Sequence, residues 1–272
     1  MTLTPIHLTW LVNTGQRLTT ADGKDVTVLK LNHQQNEEIL SAWADHFRNH
    51  YCTDDEIDFL RQGIGLTRKE YLNQIIFPDP KVAPGPSIRS GDFGEILVAD
   101  YLEYMLNYWV PRTRYSNKTV RNESTKGSDI LGFQFVKAGQ ESPDDILAVF
   151  EAKTALTGNT STNKLQEAVK DSAKDVTRKA ESLNALKRRL IDKNQVPAAL
   201  KVERFQNPED HPYKEISGAA AIFSNTCYIS THASRTIMSE HPNKGNLMLV
   251  IILGDNMMNL VHELYRRAAD EA

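Results

Sequence analysis

Cysteine is scarce in this chain: Cys52 and Cys227 are the only two in 272 residues, and they form no paired motif. A disulfide scaffold is excluded, and two reduced thiols are the simpler reading. The eight histidines show no spacing that suggests a zinc site. No stretch approaches the ~20 consecutive apolar residues that cross a bilayer. The start, Met1-Thr2-Leu3-Thr4-Pro5-Ile6-His7-Leu8, has neither a basic segment nor a long apolar one, so no export signal is read and a cytoplasmic location is expected. Internal repeats and low-complexity tails are also missing. What remains is an ordinary composition, 40% hydrophobic and 25% charged, which suits a soluble globular protein of one large domain or one domain with an appendage.

A net charge of −3 does not advertise nucleic-acid binding, but its distribution is informative. Residues 1–90 hold nine basic and eleven acidic residues. From Pro111 to Lys126 there are five basic residues and one acid, and from Ser161 to Arg204 eleven basic residues and six acids. Positive charge therefore gathers in the second part of the chain, as a phosphate-backbone ligand requires. A solvated helix face accounts for the charge about equally well.

That basic region surrounds the most informative stretch, Gly127 to Lys153. Two apolar runs of strand length, Ile130–Phe135 and Ile146–Phe150, flank a polar loop, which predicts a hairpin. Asp129 opens the first run and Glu151-Ala152-Lys153 closes the second. Alternate residues of a strand share a face, so Glu151 and Lys153 point the same way, and pairing brings Asp129 near them. Two carboxylates and a lysine at a hairpin edge suit a metal-dependent phosphodiesterase. Carboxylates hold a hard divalent cation, the cation activates water and phosphate, and the amine steadies developing negative charge.

Residues 1–85 read as an N-terminal α+β extension and residues 86–272 as the main domain, divided in the Pro-rich stretch Pro78–Pro86. In the extension, Val26–Leu31 suggests a strand. Glu37–Tyr51 suggests a helix, Thr53 caps a short one, and Arg68–Phe77 suggests another. Ser90 or Asp92 is expected to cap a largely buried helix reaching Tyr108, which places Glu95 in its first turn. Glu95 alone would pass for a capping glutamate or a partner of Arg89; beside the hairpin it is assigned to the metal site, because a buried carboxylate must be paired or bind a cation. Ser161 or Thr162 is expected to cap a long helix running to Lys193, ~45 Å at 1.5 Å per residue and long enough for a kink or break. On it Gln166 and Lys170 lie one turn apart and could face the site, though Lys170 more simply sits on the exposed surface. Gln195–Tyr213 reads as mostly irregular. Ser217–Phe223 and Leu247–Leu253 read as buried strands, His232–Glu240 as a helix, and Met257–Ala269 as the last helix.

A helix with Glu, a strand with Asp, a strand with Glu-x-Lys and then a helix resembles the PD-(D/E)XK (restriction-endonuclease-like) core, a mixed β-sheet flanked by helices. Gly91-Asp92-Phe93-Gly94-Glu95, Gly127-Ser128-Asp129-Ile130-Leu131-Gly132-Phe133 and Phe150-Glu151-Ala152-Lys153 together resemble the HamA family of Hachiman anti-phage defence, most closely over residues 89–171. The resemblance implies an α/β fold and a DNA nuclease working with a helicase resembling HamB. It implies Mg²⁺ or Mn²⁺ on Glu95, Asp129 and Glu151, and catalytic roles for Lys153 and, in the manner of RecB-like nucleases, for Gln166. Those nucleases carry an aromatic one turn after the glutamine, where this chain has Lys170. Two other readings stay open: an idle nuclease fold serving as an adaptor for a helicase, and a stand-alone restriction or recombination endonuclease.

Overall fold

In the computed structural model, which describes residues 3–124, 127–159 and 162–272, one mixed sheet runs through the molecule. Its strands are β1 (Leu11–Asn13), β2 (Leu18–Thr19), β3 (Asp25–Leu31), β4 (Ile130–Gln134), β5 (Ile146–Ala155), β6 (Lys214–Ser224) and β7 (Leu247–Gly254). The order is β1-β3-β7-β6-β5-β4, with β2 paired to β3. Strands β3, β7, β6 and β5 are parallel, while β1 and β4 run antiparallel along the two edges. The chain is thus an α/β protein with a helix-flanked mixed sheet. The central strands are buried on both faces, which is why β6 and β7 read as unbroken apolar runs rather than alternating ones.

The helices are α1 (Glu37–Asn49), α2 (Asp54–Arg61), α3 (Arg68–Tyr71), α4 (Gly85–Asp100), α5 (Lys164–Asp192), α6 (Val196–Glu203), α7 (Ser230–Ser234) and α8 (Met257–Asp270). Helices α1, α4 and α8 cover one face. Trp43, Phe47, Phe93, Leu97 and Tyr265 pack there with Phe150, Ile222, Val250 and Ile252 from the sheet. Helix α5 covers the other face, setting Leu165 and Val169 against Ala219, Ala221 and Ile251, and Leu183, Leu186 and Leu190 against Leu147 and Val149. Each large side chain so buried contributes roughly 1.5–3 kcal/mol. No described helix is long and apolar enough to cross a membrane, and both cysteines are buried.

Residues 6–77 share this sheet and core: β3 lies parallel to β7, and Trp43 and Phe77 belong to the same apolar cluster as Phe93 and Tyr265. Several helix limits differ from expectation. Helix α4 begins at Gly85, five residues before Ser90, with a proline in its first turn. The Pro-rich segment therefore starts a helix, since proline's missing N–H costs nothing in a first turn. At Tyr101 the α-helix widens into one π turn, Tyr101–Met105. Helix α5 is one continuous α-helix over Lys164–Asp192, without the expected break. Asn163 caps it by accepting from the Gln166 N–H; Thr162 instead donates to Glu167, and Ser161 lies outside the described residues. Gln195–Tyr213 contains α6, with Pro197 in its first turn. The helix expected over His232–Glu240 is the shorter α7, ending at Ser234.

Candidate functional site

The antiparallel register of β4 on β5 pairs Ile130 with Phe150. One step further, Asp129 stands across from Glu151, and its Oδ2 accepts from the Ala152 N–H at 3.1 Å. Cross-strand partners share a face. Glu151 and Lys153 follow the same alternation as Leu147 and Val149, which pack on α5 and α6. Lys153 Nζ lies 2.5 Å from Glu151 Oε1 and 2.8 Å from Asp171 Oδ2 on α5. Glu95 arrives from α4, on the other face. A Cβ on its neighbour Gly94 would collide with the Thr154 methyl group of β5, so the bare glycine lets α4 lie close against the strand that carries Glu151.

Arg114 joins the two faces. Its Nε lies 2.8 Å from Glu95 Oε2 and an Nη lies 2.8 Å from Asp129 Oδ1. The other Nη donates to the Ser128 carbonyl at 2.7 Å. Tyr115 Oη donates to Glu95 Oε2 at 2.5 Å. Behind it, Tyr51 donates to Asp92 at 2.6 Å, and Lys118 pairs with Asp92. A chain of buried polar contacts thus links the segment just after α1 to the 3₁₀ turn at Tyr115–Asn117.

Three desolvated carboxylates share too little positive charge. Burial, then the charge of Asp129, pushes the Glu95 carboxyl up to about 8 despite Arg114. Burial also raises Asp129 to about 8, against the pull of Arg114 and with Glu151 adding to the rise. Glu151 is raised by burial, with Lys153 opposing. Burial alone would lower the Lys153 ammonium, but its bonds to Asp171 and Glu151 outweigh that and raise it. Hard oxygen donors with an unmet demand for positive charge fit a divalent cation such as Mg²⁺ or Mn²⁺. Their ligand atoms do not close to within 4.8 Å of one another as a set of three, whereas those of His7, His46 and Asp100 do. The Arg114 guanidinium bridges Glu95 and Asp129, the place where such a cation would be held.

Of the residues expected at the site, Glu95, Asp129, Glu151 and Lys153 are linked by these contacts. Gln166 is engaged elsewhere: its amide donates to the Ile237 carbonyl at 3.0 Å and accepts from the Ile237 N–H at 2.7 Å. Lys170 is exposed. Sequence reading missed Arg114, Tyr115, Asp171 and Asp175. The last is buried one turn beyond Asp171, and its charge acts on Glu151. The first two stand in the basic stretch after Pro111, which carried only a general charge signal. Asp171 and Asp175 are four apart on the stripe of α5 that faces the sheet, a spacing that would have flagged them. Glu95 is paired with Arg114; Arg89 instead donates to the Pro78 carbonyl at 2.6 Å and stacks on Tyr265.

Neither the curated proteins nor the solved structures yield a match to this chain. The family model described as HamA matches residues 6–268, a span that includes β1 through β7, Arg114 and the whole acidic cluster. The chain belongs to the HamA family and is thereby a Hachiman anti-phage defence protein.

Proposed function

We propose that this chain is the nuclease subunit of its defence complex, hydrolysing DNA phosphodiester bonds with Mg²⁺ or Mn²⁺ under the control of a helicase resembling HamB. The observation that carries the reading is the linkage of Glu95, from α4, with Asp129, Glu151 and Lys153, from the β4–β5 hairpin, through Arg114 and the Ala152 N–H. Glu95, Asp129 and Glu151 would hold the cation, which when bound polarises the phosphate and lowers the pKa of a coordinated water. The chain's own part is positioning and charge. Lys153, kept protonated by Glu151 and Asp171, donates to the attacking water or to a phosphate oxygen as negative charge builds. Arg114, once released by Glu95 and Asp129, has a planar fork that suits a phosphate. A groove of about 540 Å³ beyond the end of β5 is lined by Ser87, Ser90, Thr157 and Lys164, donors suited to a nucleic-acid backbone.

The helicase partner rests on family membership. We place its docking on residues 1–85, where Phe59, Leu60 and Ile64 are exposed. Incubating plasmid DNA with Mg²⁺, the chain, the helicase and ATP tests the reading. Cleavage is expected with wild-type protein and lost in Glu151→Ala and Lys153→Ala proteins that remain folded. Undiminished cleavage by folded Glu151→Ala refutes the assignment. Failure of the wild-type complex to nick or cut favours an adaptor role, and site-specific cutting without the helicase favours a stand-alone endonuclease.

A further inference from the structure

A second cluster of donor atoms lies at the far end of α4. His7 Nε2 is 3.1 Å from Asp100 Oδ2, and His46 Nε2 is 3.0 Å from Asp100 Oδ1. All three donor atoms lie within 4.8 Å of one another. His50 adds its Nε2 at 3.3 Å from that of His46. His46 and His50 are four residues apart at the end of α1, the spacing by which a helix offers two imidazoles to one ion. We propose that His7, His46 and Asp100 form a second metal centre, distinct from the acidic site, that takes a borderline transition ion such as Zn²⁺, with His50 beside it as a fourth donor.

The donor set decides the class of ion. Two or three imidazoles with one carboxylate suit Zn²⁺, Co²⁺ or Ni²⁺ and not Mg²⁺, which prefers oxygen. The donors are held in place. His7 and Asp100 are fully buried, and the His7 ring lies parallel to Trp43 at 4.4 Å. Arg112 donates to Asp100 Oδ1 at 2.8 Å and is itself paired with Glu103 at 2.6 Å. The Arg112 contact is the outer-shell support a ligating carboxylate usually has. The His46 side chain is 21% exposed, which provides a way in. The ion would pin the segment around Ile6–Trp10 to α1 and to α4, the helix that carries Glu95. A cavity of about 40 Å³ is lined by His50 and Arg112 as well as by Glu95, Arg114 and Asp129, so the two centres share a wall.

The test is metal retention by the full chain. Protein loaded with Zn²⁺ or Co²⁺ and dialysed against excess Mg²⁺ should keep about one ion per chain by elemental analysis. His46→Gln should lose it. A glutamine amide can still donate to Asp100, so a purely hydrogen-bonded cluster would survive that change and only a metal centre would be emptied. Glu151→Gln should keep the ion, which separates this site from the acidic one. X-ray absorption of Zn²⁺-loaded wild-type protein should show at least two imidazoles around the ion and needs no variant, so it decides the matter should His46→Gln fail to fold. Loss of the ion from wild type on dialysis, equal retention by His46→Gln, or coordination without imidazole would overturn the proposal.

Discussion

Neutralising Glu95 should make the metal-free protein more stable at alkaline pH, even though a wild-type ion pair is lost. Glu95 is 9% exposed, and its carboxyl is raised from 4.5 to about 8. The folded chain therefore binds more protons there than the unfolded chain does, so stability is full below the unfolded value and falls as pH climbs towards about 8. Every tenfold change in proton affinity between the folded and unfolded chain is worth about 1.4 kcal/mol, giving an upper bound of about 5 kcal/mol for carrying this charge at pH 8.5. Glu95→Gln removes that cost. It also removes a partner of Arg114, whose loss returns part of the gain but leaves the bond to Asp129. A net stabilisation of about 2 kcal/mol is expected, or a melting temperature higher by roughly 4–8 °C for a chain of this size. Urea or thermal unfolding in EDTA at pH 8.5 and at pH 5 measures it. The gain should shrink towards zero at pH 5, and Mg²⁺ should stabilise wild type more than Glu95→Gln. A variant less stable than wild type at pH 8.5, or with a difference independent of pH, would refute the electrostatic account.

Three further outcomes follow from the packing. Arg114→Ala leaves Glu95 and Asp129 buried without their shared cation. It should cost about 3–5 kcal/mol at pH 8 in EDTA and much less in Mn²⁺, and equal losses in both buffers would count against a cation site there. Gly94→Ala places a methyl group into Thr154, should cost about 1–3 kcal/mol and should weaken Mn²⁺ binding by shifting Glu95; an unchanged urea midpoint contradicts the tight approach of α4 to β5. Trp43→Ala removes a side chain 1% exposed beneath α4 and should cost about 3–5 kcal/mol in urea unfolding; a loss under 1 kcal/mol would mean the core collapses around the gap.

What the sequence disclosed depended on whether a feature was local. The hairpin was legible because Asp129, Glu151 and Lys153 sit on short runs whose period and turn fix their register. Strands β6 and β7 and helix α8 were legible as strong apolar patterns. Glu95 was found through its place among buried neighbours, although its helix begins earlier than expected because prolines near Pro86 read as a break. The bridging role of Arg114 was not legible: the ion pairs reach from residue 114 back to Glu95 and on to Asp129, and nothing in a basic loop says which arginine turns inward. Nor was the parallel pairing of β3 with β7, which joins residues more than two hundred positions apart. His46 and His50 carried a readable spacing that was passed over, because their remaining partners, His7 and Asp100, come from distant parts of the chain.

Anomalous diffraction from crystals of the chain soaked in Mn²⁺ tests the central claim most directly. The account predicts a Mn²⁺ peak bound by Glu95, Asp129 and Glu151, with the Arg114 guanidinium withdrawn from between the first two. Full Mn²⁺ occupancy elsewhere, with Arg114 still bridging Glu95 and Asp129, would contradict it.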